Sequence, residues 1–137
     1  MTVSKDFSTY VHEQLRMMSA LTSRRMFGGI GLYSEGLFFA LLDDDTLYCK
    51  VDDGNRLDYV QRGMRAFTPF PDKPGMNYYE VPAEVLEDAE ELARWARKSV
   101  AAARAAASRK AKTQSTSRKS RVRAIGKRAA AAKRRRQ

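Results

Sequence analysis

The stretch RRMFGGIGLYSEGLFFALLDDDTLYCKV, Arg24 to Val51, turns the hydrophobic period to two, and its reading decides the fold. Alternate residues of a strand share a face, so Met26–Tyr33, Leu37–Leu42 and Thr46–Val51 read as three strands. SEG and DDD between them are short polar turns suited to hairpins. The glycines at Gly28, Gly29 and Gly31 also suggest a phosphate-holding loop. A dinucleotide loop needs G-x-G-x-x-G between a strand and a helix, whose N-terminus faces the pyrophosphate. Here Gly29-Ile30-Gly31 runs into Leu32-Tyr33-Ser34 and a further strand, and no Gly-Lys-Ser/Thr follows as a P-loop requires. Read as one strand, Met26, Gly28, Ile30 and Leu32 lie on one side, with Phe27, Gly29, Gly31 and Tyr33 on the other. Two uses of that second side stay open. Either a helix or an aromatic such as Tyr10 packs closely on bare backbone or a bulge bends the strand there, or Arg24 and Arg25 charge a small anionic-ligand or partner site at Gly28, Gly29 and Gly31.

Working outward, Phe7, Tyr10, Val11, Leu15 and Met18 have helical spacing, predicting a helix from Asp6 to about Leu21. Downstream, Asp52 or Asp53 caps a helix whose inward side is Leu57, Val60 and Met64. AFTPF and MNYYEV read as two strands about the turn PDKPG. A last helix opens at Pro82, where the missing N–H costs nothing, and its early acids Glu84, Glu87, Asp88, Glu90 and Glu91 suit the positive end of the helix dipole. Val85, Leu86, Ala89, Leu92, Ala93, Ala96 and Val100 form its core stripe, and beyond Val100 the stripe ends. The order helix, three strands, helix, two strands, helix implies an α+β domain with an antiparallel sheet of about five strands covered by helices.

Charge divides the chain more sharply than hydropathy does. Residues 1–107 hold 13 Lys+Arg and all 16 Asp+Glu, a net of −3, whereas residues 108–137 hold 13 Lys+Arg and no acid. The basic residues of that tail are Arg109, Lys110, Lys112, Arg118, Lys119, Arg121, Arg123, Lys127, Arg128, Lys133, Arg134, Arg135 and Arg136. Ala, Ser and Thr fill the spaces between them, a composition that cannot bury enough surface to offset ordering entropy. The expected organisation is a domain over 1–107 and a disordered or extended-helical basic tail over 108–137. Cations gathered at one end and unmatched by acids mark a segment that meets a polyanion, here nucleic acid. Residues 108–137 contain no aromatic side chain, so bases have nothing to stack on there and phosphate neutralisation remains.

The pieces Arg24 or Arg25 with Met26–Gly29, Leu47–Lys50, and Tyr78–Pro82, in this order, resemble the N-terminal domain of the TfoX/Sxy family of bacterial competence regulators. The resemblance covers about residues 6–104. It implies an α+β domain found in proteins linked to transcriptional regulation of DNA uptake, with no enzymatic activity attached. Full-length regulators of that kind carry a second helical domain where this sequence has its basic tail. The tail is itself similar, in composition alone, to the Ala/Lys-rich tails of linker-histone-like bacterial proteins.

Few residues offer other chemistry. His12 is the only histidine and reads as a surface residue of the first helix, while Cys49, the only cysteine, reads as a buried strand residue. Asp43, Asp44, Asp45, Asp52 and Asp53 lack the glycine and closing glutamate of a calcium loop and read as a hairpin tip and a helix cap. Trp95 reads as core packing. A single cysteine, no signal-peptide pattern and no apolar run long enough to span a bilayer lead to the expectation of a soluble cytoplasmic protein, associated with the nucleoid through its tail. No catalytic residue, metal or cofactor is assigned. The expected function is regulatory and non-enzymatic, with the tail on nucleic acid and the domain on a protein partner. The alternative is a ligand- or protein-interaction module at the Gly-rich strand, its tail only solubilising.

Overall fold

The computed structural model describes residues 3–26, 28–68 and 75–110. Met1–Arg104 form one compact unit. Within it the order is α1 (Lys5–Gln14), β1 (Leu21–Met26), β2 (Gly29–Ser34), β3 (Leu37–Asp43), β4 (Thr46–Lys50), α2 (Arg56–Val60), β5 (Tyr78–Glu80) and α3 (Ala83–Leu86). A further helix, α4, starts at residue 89, and residues 105–110, which belong to the second unit, are helical as well. The strands form one antiparallel sheet in chain order, β1-β2-β3-β4-β5. The α+β class and the five-stranded antiparallel sheet are as the sequence indicates. The division of the strands is not three and two but four and one.

The correction begins in the opening stretch. Met26 pairs with Gly29, so what reads as one strand from Met26 to Tyr33 is the end of β1 and most of β2, with a reversal of the chain at Gly28. Gly28 sits in that turn at φ +80°, a conformation that side chains resist and glycine accepts freely. The next two connections are equally tight: Glu35 and Gly36, then Asp44 and Asp45, all have positive φ, as two-residue hairpin turns require. With β1 reaching back to Leu21, α1 is shorter than its periodicity suggests and stops at Gln14. Ser4 caps it, its hydroxyl accepting from the Phe7 N–H at 3.1 Å. Leu15 and Met18 are still buried, but from the turn that follows, and Tyr10 is exposed.

The other helices also depart from the expected pattern. In α2, Leu57 and Val60 face solvent and Tyr59 is the buried residue. A helix of five residues has room for one inward side chain, and Tyr59 takes it by packing edge-on against Trp95, with ring centroids 4.7 Å apart. The cap is Asn55 rather than an aspartate. Its Oδ1 accepts from the Asp52 N–H and its Nδ2 donates to the Lys50 carbonyl. The last helix is divided at Glu87 and Asp88, where the Asp88 carboxylate accepts from the N–H groups of Glu90 and Glu91 and starts α4. Its buried stripe runs past Val100 to Ala102 and Ala103. AFTPF contributes a single bridge, Ala66 to Tyr79, with Pro69, Phe70 and the turn through Pro74 outside the described residues.

Strand pairing sorts the sheet into two faces. Leu32, Ala40, Leu42, Leu47 and Cys49 share one face and join Val11, Leu15, Val85, Leu92, Ala96 and Val100 in the core. Arg24, Gly31, Leu41, Tyr48 and Glu80 lie across the other face, and none of them belongs to that core. At β2 and β3 the register shifts by one residue, and the extra residue, Phe39, is fully buried.

Candidate functional site

The Gly-rich hairpin is the first site the sequence points to, and its geometry is that of packing. A Cβ on Gly31 would lie 2.5 Å from Met26 Cε and 3.1 Å from Phe38 Cε1, so these two side chains fill the space beside its backbone. Met26 therefore shares a face with Gly29, Gly31 and Tyr33, contrary to the one-strand reading, because the turn at Gly28 resets the alternation. A Cβ on Gly29 would meet the Leu42 carbonyl oxygen. Arg24 stands opposite Gly31 and Arg25 opposite Ile30, so the two exposed guanidinium groups leave the strand toward opposite faces. The pair does not converge on the glycines.

A second cluster is visible only in three dimensions. Cys49, Tyr59 and Ser99, from β4, α2 and α4, are buried together, and their polar atoms interact. Burial pushes the Cys49 thiol up to about 12, partly offset by the Tyr59 and Ser99 hydroxyls. The Tyr59 hydroxyl is raised too, again chiefly by burial. Neither Tyr59 Oη nor Ser99 Oγ completes a hydrogen bond of good geometry. A neutral, enclosed thiol is a poor nucleophile, so this constellation packs rather than reacts.

The remaining candidates have local structural roles. His12 Nδ1 lies 2.7 Å from the Ser8 carbonyl one turn earlier on α1. Asp45 accepts from the Ser4 N–H, Asp52 from the Gly54 N–H, and Asp53 pairs with Arg56. Trp95 is in the core, donating Nε1–H to Glu91 at 3.0 Å, with the Arg62 guanidinium 4.9 Å from its ring centre. Arg109 and Lys110 are exposed and helical, whereas Lys112 to Arg136, the other basic residues of the tail, fall outside the described residues. Among the described residues no helix is long and apolar enough to cross a membrane.

The fold and these placements define a small α+β domain, one antiparallel sheet with helices on one face, followed by a basic segment. Residues 13–103 match the model of the TfoX N-terminal domain family, and the chain belongs to that family. No curated protein matches it. The matched span takes in the whole sheet, α2, α3 and α4 up to residue 103, but only the last two residues of α1, so family membership rests on the folded unit. Such membership indicates a regulatory domain.

Proposed function

We propose that the chain is a non-enzymatic regulatory protein that holds nucleic acid through the phosphates by its basic segment, without sequence preference, while its domain engages a protein partner. The observation that carries this reading is the charge division, −3 over residues 1–107 against thirteen Lys+Arg and no acid over residues 108–137. Each cation placed on a phosphate releases counterions, so the attraction is entropic, indifferent to base identity and steeply salt-dependent. A cytoplasmic location on the nucleoid accords with it.

A salt series with duplex DNA tests the proposal on the full chain. With about 8 phosphate contacts the log–log slope is expected near −7. Replacing the thirteen Lys and Arg of residues 108–137 by Gln should bring that slope close to zero and leave the thermal transition of the domain in place. Unchanged duplex affinity in the neutral variant would refute the assignment.

A further inference from the structure

The face of the sheet away from the core, bare of helices among the described residues, carries a row of rings. Tyr33 on β2 and Phe38 on β3 are paired neighbours with centroids 5.2 Å apart, and Phe38 lies 5.4 Å from Tyr78 on β5. Lys50, opposite Tyr78 on β4, holds its ammonium 5.3 Å from the Tyr78 ring centre. Arg24, on the same face two residues from the Thr22 that pairs with Tyr33, is exposed. The rings stay out of the core that fills the opposite face. Tyr78 is nearly covered, whereas Tyr33 and Phe38 are partly exposed.

We propose that this face binds single-stranded nucleic acid, stacking bases on Tyr33 and Phe38 and placing the adjoining phosphates on Lys50 and Arg24. A sheet face presenting adjacent rings with flanking cations has the chemistry by which sheet platforms hold two or three unpaired bases. Duplex bases are already stacked on one another and offer no free ring face, so the row selects single strands. The glycine at position 31 serves the platform, because Phe38 and Met26 fill the space that a Cβ there would take. Glu80 and Asp43 occupy the same face near Tyr48, whose hydroxyl pKa is raised chiefly by burial and then by these two carboxylates. Their charge repels phosphates and confines the strand to the Tyr33 end. The basic segment has no ring, and the platform supplies the stacking that segment lacks. The inference is independent of what the segment binds.

The experiment uses the full chain, a short oligothymidylate and a duplex of equal length. Tyr33→Ala should weaken single-strand binding about tenfold, the size of one base–ring stack, and leave duplex binding unchanged. Lys50→Gln should lower the salt slope for the single strand by about 0.7. Ultraviolet crosslinking of the unsubstituted chain to oligothymidylate, read by peptide mass, should label Tyr33 or Phe38, which requires no variant to fold. Crosslinks confined to residues 108–137 would overturn the proposal. So would equal losses on single strand and duplex, an unchanged Tyr33→Ala variant, or a dimer that dissociates in Tyr33→Ala, which would show a second copy on that face. The Gln-substituted basic segment separates the two ideas: duplex binding then disappears while the Tyr33 and Phe38 crosslinks persist.

Discussion

The two faces of the sheet are made from the same strands yet obey different rules. On the covered face Leu32, Ala40, Leu42, Leu47 and Cys49 are all essentially without solvent contact, and Phe39 and Tyr79 pack with them against the core. On the open face Leu41 is buried too, but its neighbours are aromatic, basic and acidic, with Tyr33, Phe38 and Tyr78 packed against one another and kept out of that core. The difference teaches that the deeply buried packing is concentrated on one side of the sheet.

Substitutions sharpen that contrast in order of size. Leu42→Ala, deep in the covered face, should cost about 2–5 kcal/mol in denaturant unfolding, because transfer free energy is lost and a cavity is left. Gly31→Val, on the open face, should cost about 1–3 kcal/mol, since Met26 and Phe38 must be displaced by the added carbons. A near-zero cost there would show that the rings float above the sheet and would break the comparison. The third effect is a pH slope. The folded thiol of Cys49 titrates at about 12 against an ordinary 9.0, so above pH 9 the unfolded chain sheds a proton that the folded chain keeps. Stability from this group is complete below pH 9 and declines as the pH rises toward 12, by about 1 kcal/mol between pH 9 and 10. Unfolding measured from pH 8 to 10 should lose that component of its slope in Cys49→Ala.

Much of this was legible in the sequence. Period-two patterning, the SEG and DDD turns and the Pro82 helix start were enough for the α+β class and the antiparallel sheet, and the motifs about Met26–Gly29 and Tyr78–Pro82 were enough for the family. The first hairpin was hidden because its turn, at Gly28, falls inside an unbroken alternation, and glycine is equally at home on a strand floor. Tyr59 was hidden because a one-turn helix shows no period. The ring platform was hidden by the bulge: the extra residue at Phe39 places Phe38 and Phe39, neighbours in sequence, on an open face and in the core. Tyr33, Tyr48 and Lys50 do alternate with buried residues along β2 and β4, and that was the signal available.

β1 through β4 pair in chain order, with only two residues of sequence between each strand and the next. Loops that short are cheap to close, so this meander is suited to assemble early and quickly, ahead of contacts between distant segments. β5 is the exception, since it reaches β4 only across the chain from Lys50 to Tyr78. Refolding should accordingly be paced by the arrival of that last strand and the helices behind it, not by the glycine-rich hairpin with which the sheet begins.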